Sequence, residues 1–249
     1  TLIGGLHQPN APDKNWLAVN DFPGTPNFGR LISTWSNFNR NAAGGTLSVP
    51  LVASVSDDRG VSWSPVIEIT PQGSLNQGTQ PVFLPDGSLA VIYISFIDPS
   101  NTSRFGILCK RSLDGGRTFP GTATTVVAAV QGWDDPDMRD GVYLPSAAVA
   151  RTTGDLFVTY AGIVNGSPRV LLVRSTNRGA TWTQPMVVSD QPAGVSVMNP
   201  AVTTDSFGNA IVFFTDKRHA PDGRNYVDHY AALVDPRRGE LQAPNVRLT

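Results

Sequence analysis

The octapeptide S-T-N-R-G-A-T-W (175–182) occurs three times in this chain in related form. The two earlier copies are S-D-D-R-G-V-S-W (56–63) and S-L-D-G-G-R-T-F (112–119). Their third residues stand at 58, 114 and 177, and a degenerate copy, L-V-D-P-R-R-G-E, has its aspartate at 235. Self-similarity at such a spacing is the sequence signature of a repeat architecture.

Short runs rich in Val, Ile, Thr, Tyr and Phe flank every copy, with glycine-containing turns between them. Such runs are typical of strands and hairpins, and no long stretch has the 3.6-residue apolar period of a helix. We therefore predict an all-β protein in which a unit of four antiparallel strands recurs four times. This indicates a β-propeller, because a β-sandwich would not repeat one turn sequence at one place in every unit. The predicted blades span about 10–70, 79–128, 143–189 and 198–249.

Each position of the octapeptide has a role in folding a turn between the third and fourth strands of a unit. The third residue can accept hydrogen bonds from backbone amides, and the fifth, a glycine, can adopt a left-handed conformation. The hydroxyl at position seven can bond back to position three, and the aromatic residue at position eight can be buried. We interpret the following residues as structural: Ser56, Asp58, Gly60, Trp63, Ser112, Asp114, Gly116, Phe119, Ser175, Asn177, Gly179 and Trp182.

The pattern S-x-D-x-G-x-T/S-W resembles the Asp-box, or bacterial neuraminidase repeat, of the sialidase superfamily. The resemblance implies a propeller in which these turns lie on the face away from the active site. Propellers of that superfamily have six or more blades, whereas four units are visible here. Three arrangements remain open: part of a larger propeller, which we favour, a closed four-bladed ring, or a ring completed by partner chains in a larger assembly.

Composition restricts the partners that the chain can have. Of its 249 residues 40% are hydrophobic and 16% are charged, and the net charge is −1. Without a basic excess we expect no nucleic-acid partner, and without a long apolar run we expect no insertion into a membrane. The scarcity of lysine fits an extracellular, periplasmic or cell-surface protein. The single cysteine, Cys109, lies in an apolar run and is expected to be a buried thiol.

In an antiparallel blade the 2–3 loops and the connections between blades share one face, which we call the loop face. Functional groups on a rigid scaffold tend to lie on loops. Every 2–3 loop contains an arginine, and convergent arginines could bind a carboxylate or sulfate; the alternative is a set of unrelated surface residues. The candidates are Arg40, Arg104, Arg169, Arg218 and Arg224.

One connection, Q-G-W-D-D-P-D-M-R-D-G-V-Y (131–143), is rich in acidic residues. Its carboxylates could bind Ca²⁺ or supply a general acid, although their spacing matches no EF-hand and the alternative is a solvated acidic loop. We expect no other cofactor. Trp133 beside it, and Tyr226 in the longest 2–3 loop, could contact a glycan. The carboxylates are Asp134, Asp135, Asp137 and Asp140, of which Asp135 and Asp137 are also candidate ligand-binding residues.

Three functions follow from these candidates. The first is an exported Asp-box propeller that binds a glycan or a protein without a catalytic set of its own. The second is a sialidase-like glycoside hydrolase acting on acidic glycans, and the third is a structural subunit of a larger complex. The arginine motif and the tyrosine–glutamate pair that the superfamily resemblance would require are not recognisable, since Glu68 and Glu240 are the only glutamates. The sequence therefore assigns no catalytic residue.

Overall fold

The computed structural model describes residues 10–97, 104–133, 135, 137, 144–220 and 226–249. These residues form eighteen strands and no helix, in four antiparallel sheets that follow one another along the chain. The all-β prediction is thus confirmed. Nothing helical in the described ranges could serve as a membrane span.

The four sheets have the same plan, with neighbouring strands connected in chain order. Sheet 1 contains β1 Asn10–Val19, β2 Leu31–Arg40, β3 Thr46–Ser48, β4 Leu51–Ser56 and β5 Ile67–Glu68, where β3 pairs with β2 beside the main path. Sheet 2 contains β6 Asn76–Phe83, β7 Leu89–Phe96, β8 Arg104–Ser112 and β9 Thr124–Gln131. Sheet 3 contains β10 Ser146–Val149, β11 Leu156–Val164, β12 Ser167–Ser175 and β13 Met186–Val187. Sheet 4 contains β14 Val197–Thr204, β15 Ala210–Asp216, β16 Asp228–Asp235, β17 Glu240–Leu241 and β18 Val246–Arg247.

Three apolar clusters join consecutive sheets face to face. The first places Ile32 of sheet 1 against Val91 of sheet 2, the second joins sheets 2 and 3, and the third joins sheets 3 and 4. Within the described part of the chain no such cluster joins sheet 4 back to sheet 1. The described strands therefore form an arc of four stacked sheets and not a ring closed by a fourth core.

The octapeptide occupies the predicted place, the turn after the third long strand of sheets 1 to 3. In sheet 2 the Ser112 hydroxyl donates to Asp114 Oδ1 at 2.7 Å and accepts from the Gly116 amide at 2.7 Å. Asp114 Oδ1 also accepts from the Thr118 amide at 2.9 Å, and Asp114 Oδ2 accepts from the Thr118 hydroxyl at 2.6 Å. The carboxylate thus satisfies donors that the tight turn would otherwise leave unpaired.

The copy with asparagine keeps the same network with one bond reversed. Asn177 Oδ1 accepts from the Thr181 amide at 2.9 Å, as the aspartates do in the other copies. Its second group is an amide, which can only donate, so Asn177 Nδ2 donates to Thr181 Oγ1 at 2.8 Å. The substitution of Asp by Asn therefore preserves the turn because the hydroxyl partner can act as donor or acceptor.

The turn glycines also form contacts between sheets. All three have positive φ, 87° at Gly60, 94° at Gly116 and 80° at Gly179. A Cβ atom at Gly116 would lie 2.6 Å from Ile32 Cδ1 of sheet 1, and one at Gly179 would lie 2.9 Å from Cys109 Sγ of sheet 2. At Gly60, in the first sheet, the nearest contact would be 3.5 Å, to Leu31 of its own sheet. Each turn after the first is therefore packed against the preceding sheet.

Polar bonds on the same side of the arc accompany these contacts. Arg30 of sheet 1 donates to the Asp114 carbonyl of sheet 2 at 2.6 Å. Thr124 of sheet 2 donates to the Gly179 carbonyl of sheet 3 at 2.7 Å. Arg174 of sheet 3 donates to the Pro236 carbonyl beyond β16 at 2.6 Å. Every consecutive pair of sheets is thus joined by a side chain that satisfies a turn carbonyl of the next sheet.

The aromatic residue at position eight is not equally buried in the three copies. Phe119 and Trp182 pack against the clusters between sheets 1 and 2 and between sheets 2 and 3. Trp63 has 36% of its surface exposed, so the expectation of burial is wrong for this residue. The reason is its place in the first sheet, where no preceding sheet is described that could cover the turn.

Sheet 4 has a bare face where sheets 1 and 2 are covered. Thr34, Ile92 and Phe213 occupy equivalent positions in the second strands of sheets 1, 2 and 4. Each of them pairs with the residue of the first strand that directly follows a shift in register. Thr34 and Ile92 are fully buried, whereas Phe213 is 37% exposed. Val246 and Leu248, at the end of the same sheet, are also exposed. This face has the apolar character of an inter-sheet surface without a described sheet against it.

We expect Gly116→Ala to destabilise the protein more than Gly60→Ala. Both changes place a Cβ on a residue with positive φ, so the backbone strain is common to the two. Only the first also forces a methyl group into Ile32, at an overpacking cost of about 1–3 kcal/mol. Urea unfolding of both variants measures the difference, and equal losses would contradict packing of the turn on the preceding sheet.

We expect Ile92→Ala to cost more than Phe213→Ala, although phenylalanine is the larger side chain. Ile92 is fully buried between sheets 2 and 3, so its truncation leaves a cavity and should cost about 2–5 kcal/mol. Phe213 is partly exposed and should cost less than half of that. Thermal and urea unfolding test the ranking, and a larger loss at Phe213 would show that its face is covered in solution.

Candidate functional site

Three segments from different parts of the chain meet on the loop face. Asp135 belongs to the connection between sheets 2 and 3, Ser196 to the connection between sheets 3 and 4, and Lys217 to the loop after β15. Lys217 Nζ donates to Asp135 Oδ1 at 2.7 Å and to Asp137 Oδ2 at 3.1 Å. The Lys217 amide donates to the Ser196 carbonyl at 3.2 Å. We call these four residues, Asp135, Asp137, Ser196 and Lys217, the loop-face cluster.

Asp135 is the buried anion of this cluster, with only 2% of its side chain exposed. Burial alone would raise its pKa, but hydrogen bonds from Lys217, Ser196 and the Asp137 amide hold the pKa below its ordinary value. Burial likewise opposes the charge on Lys217, while the two carboxylates raise the pKa of the ammonium. The pair is therefore charged at neutral pH, and Asp135 has no proton to give as a general acid.

Asp137 differs from Asp135 because 48% of its side chain is exposed. Both carboxylates accept a hydrogen bond from the same ammonium. Asp135 Oδ1 and Asp137 Oδ2 can therefore be no farther apart than the sum of these two N–O distances. The arrangement presents one half-exposed acceptor on the loop face, held by an ammonium that it shares with the buried Asp135.

Arg218, one of the predicted arginines, is held by protein groups. Its Nε donates to Asp216 Oδ2 at 2.8 Å and its Nη1 donates to Asp190 Oδ1 at 2.7 Å. The guanidinium also lies 3.9 Å from the centroid of the Tyr230 ring, a cation–π contact. The Asp190 amide in turn donates to Asn245 Oδ1 at 2.8 Å, and the Asn245 amide donates to Asp190 Oδ2 at 2.8 Å. Arg218 therefore joins sheet 4 to the connection that precedes it.

The structure gives the other predicted arginines separate surroundings. Arg169 donates to the Gln191 carbonyl at 2.7 Å and so fixes the same connection from the side of sheet 3. Arg40 is exposed and lies 5.8 Å from the ring of Phe38, and Arg104 is exposed at the start of β8. Arg224 lies outside the described residues. The four predicted arginines within the described residues belong to four different sheets, and the side chains of Arg169 and Arg218 donate hydrogen bonds to protein groups.

The remaining predicted residues lie close to the cluster in sequence or outside the described ranges. Trp133 is half-buried, and its Nε1 is buried without a hydrogen-bond partner. Tyr226 is 55% exposed. Asp134 and Asp140 lie outside the described residues, so a calcium site that includes them stays a prediction. Among the described residues no three His, Cys, Asp or Glu side chains form a metal-binding group, and Lys217 occupies the space between Asp135 and Asp137.

Sequence reasoning missed Lys217, which organises the cluster, and Asp190, which holds Arg218. The partners of Lys217 are about 80 residues away in the chain, and those of Asp190 are 28 and 55 residues away. The run D-K-R-H (216–219) places acidic and basic residues side by side, and this signal could have been matched with the acidic connection at 131–143. Nothing in the sequence shows which acid meets which base.

The four sheets superpose on several known structures over most of the chain. A mutant of the α-L-arabinofuranosidase Arb93A from Fusarium graminearum, in complex with an iminosugar inhibitor, superposes with a TM-score of 0.67 at 16% identity. An α-L-arabinanase from Penicillium chrysogenum, complexed with arabinobiose, gives 0.62 at 20% identity. An ulvan lyase of a polysaccharide lyase family gives 0.58 at 12% identity. The fold is a β-propeller.

These likenesses show the fold alone, because all are below 25% identity. The match covers 96% of this chain and 66% of each of the first two proteins, and 94% and 57% for the lyase. The chain thus spans somewhat less than two thirds of the length of these three proteins. The sequence matches no protein-family model and no curated protein.

We expect Lys217→Met to lower the stability of the protein at pH 7 by about 1.5–3 kcal/mol, the loss of a hydrogen bond to a buried charge. In the folded wild type the pKa of Asp135 is lowered, so its contribution is present above the unfolded pKa of about 3.9 and is lost as the pH falls through the folded pKa. Without Lys217, fewer hydrogen bonds oppose the effect of burial, which raises the pKa of Asp135. The difference in stability between wild type and variant should therefore narrow as the pH approaches 4.

Urea unfolding at pH 7, 5.5 and 4 measures this gap. Asp137→Asn is the matched control, since it removes the half-exposed partner and should cost about 0–1 kcal/mol at every pH. A loss for Lys217→Met that does not change with pH would show that Asp135 is not the group that the ammonium stabilises.

Proposed function

We propose that this chain is a glycan-binding β-propeller whose ligand lies across the loop face at the loop-face cluster. The single observation that carries the proposal is the carboxylate of Asp137, half exposed and held in place by Lys217. A fixed acceptor of this kind suits sugar hydroxyls, because binding to a side chain that is already oriented avoids the free-energy cost of ordering it. The opposite face is occupied by the octapeptide turns, whose polar groups bond one another and the adjacent sheets.

The described residues favour binding over catalysis. A glycoside hydrolase needs a carboxylic acid with a raised pKa next to a second carboxylate. Asp135 has a lowered pKa and is buried, and Lys217 bonds both carboxylates and offsets one of their two negative charges. The cluster is therefore better suited to holding a ligand than to protonating a leaving group. A polymeric glycan would meet such a protein outside the cytoplasm, and we propose an exported protein on that ground.

A glycoside hydrolase is the second candidate, and the structural likenesses favour it. The two arabinose-directed enzymes match nearly the whole of this chain, and a third of their length is unmatched. If the chain is catalytic, its substrate class would be neutral arabinose-containing glycans, as those names indicate, or the acidic glycans that the Asp-box resemblance implies. Binding without release of product separates the first candidate from the second.

One experiment tests both candidates on the same samples. Arabinobiose, longer arabino-oligosaccharides, sialyllactose and ulvan oligosaccharides are titrated by calorimetry, and the mixtures are then analysed for new reducing ends. We expect binding of at least one glycan without cleavage. Asp137→Asn should weaken it about tenfold, the equivalent of one hydrogen bond of about 1.4 kcal/mol.

Asp21→Asn is the matched control, because Asp21 is an exposed aspartate paired with Arg151 on the face of the octapeptide turns. It should bind the same glycan as tightly as wild type. Product release that disappears in Asp137→Asn would replace the binding proposal with the hydrolase. The absence of binding to every glycan in the panel would overturn both.

A further inference from the structure

The first strands of sheets 1, 2 and 4 share one irregularity. Their pairing with the second strand shifts between Asp13 and Trp16 in β1, between Gln77 and Gln80 in β6, and between Met198 and Ala201 in β14. The paired positions on the second strands are equivalent in the three sheets. A β-bulge repeated at one register position is a built feature of the fold, and bulges are frequent beside functional sites.

Each bulge contains a residue in the left-handed region. The φ values are 50° at Lys14, 71° at Gly78 and 50° at Asn199. Glycine takes this conformation freely and asparagine tolerates it, whereas lysine does so at a cost in free energy. Residues in such strained backbone conformations occur preferentially at functional sites. The bulges lie near the beginnings of the first strands, which is the loop-face end of each sheet.

A cavity opens where the bulges of sheets 1 and 2 face each other. It has a volume of about 130 Å³ and is lined by Trp16 of β1, Gly78 and Thr79 of β6, and Leu144 and Pro145 before β10. This equals the space of about four water molecules, and the exposed indole of Trp16 extends the apolar surface beyond it. A Cβ at Gly78 would lie 2.7 Å from Leu144 Cδ2, so the cavity requires glycine at this place. We call it the inner-strand pocket.

One wall of the pocket is held by buried hydrogen bonds of two side chains, those of Gln80 and Thr79. Gln80 donates to the Ala147 carbonyl at 3.1 Å and accepts from the Ala147 amide at 2.8 Å. Thr79 donates to the Thr34 hydroxyl. These bonds join sheets 1, 2 and 3 around the pocket, which would let a ligand bind without the cost of ordering this wall.

The other wall combines an aromatic surface with polar groups. Trp16 is 49% exposed, and Lys14 and Asn15 beside it are exposed. At the rim Gln77 Nε2 donates to Asp13 Oδ2 at 3.1 Å. A sugar ring has an apolar C–H face that can lie on an indole and a hydroxyl periphery that can bond such groups. Among the described residues at this end of β1, the ammonium of Lys14 and the carboxylate of Asp13 offset each other, which favours an uncharged ligand over an ionised one.

We propose that the inner-strand pocket binds one uncharged sugar ring against Trp16. The proposal rests on the proposed glycan binding of the loop face and adds to it the place and the charge of one recognised sugar unit. The pocket and the loop-face cluster are separate groups of residues, so one can fail without the other.

Tryptophan fluorescence tests the proposal. Arabinobiose and sialyllactose are titrated into the intact protein, into Trp16→Phe and into Trp63→Phe. Trp63 is the matched control, because it is a comparably exposed tryptophan of the same sheet on the octapeptide turn. We expect arabinobiose to change the emission of wild type and of Trp63→Phe, and the change to disappear in Trp16→Phe.

Calorimetry with Trp16→Ala is the second measurement, since it does not depend on an optical signal. The half-exposed position should tolerate this change, and we expect a loss of affinity for arabinobiose of at least tenfold. Arabinobiose binding unchanged in Trp16→Ala would overturn the pocket and leave the proposed function standing. A response of Trp16 to sialyllactose alone would overturn the assignment of an uncharged ring. No binding of any panel glycan by wild type would overturn both proposals.

Discussion

The packing of a turn glycine of one sheet on an apolar side chain of the preceding sheet is the contact on which the rest of the structure depends. Gly116 against Ile32 and Gly179 against Cys109 are the same contact in successive interfaces. The positive φ that the turn requires and the space that the neighbouring sheet leaves both demand glycine at this position. The hydrogen bonds of Asp114 and Asn177 fix the turn that delivers the glycine there. One local sequence thus specifies a long-range contact.

This contact divides the molecule into a structural face and a variable face. On the structural face the turns, with Arg30 and Thr124, satisfy one another's polar groups from sheet to sheet. The connections and 2–3 loops on the opposite face carry no such repeated sequence. The loop-face cluster and the inner-strand pocket both lie on that side, one built by a single ion-pair group and the other by bulges at the beginnings of the first strands.

The sequence was sufficient for the features that are local and repeated. The strands, the position of the octapeptide turn, and the exchange of Asp for Asn at 177 follow from periodicity and side-chain chemistry. It missed that position four of the turn is also left-handed, with φ of 61° at Arg59 and Arg178, because arginine gives no sign of this. It predicted a buried Trp63, which needs a covering sheet that is not described.

The candidate site was predicted only in its location and in part of its residues. Asp135 and Asp137 were named from the acidic run, but the partner that fixes them, Lys217, could not be found because the pairing is made by the stacking of sheets. Arg169 and Arg218 were named as convergent ligands, while the structure gives each of them carbonyl or carboxylate partners in the protein. Periodicity can place a loop on a face, but it cannot pair one loop with another.

A double-mutant cycle between Gly116→Ala and Ile32→Val tests the central contact most directly. Valine lacks the Cδ1 atom that a Cβ at position 116 would meet at 2.6 Å. Urea unfolding of wild type, both single variants and the double variant gives the coupling free energy. We expect Ile32→Val to relieve the steric clash that Gly116→Ala creates. The double variant should therefore lose less stability than the sum of the losses of the two single variants. Additive losses would contradict it, because they would show that the turn glycine and the preceding sheet do not touch in solution.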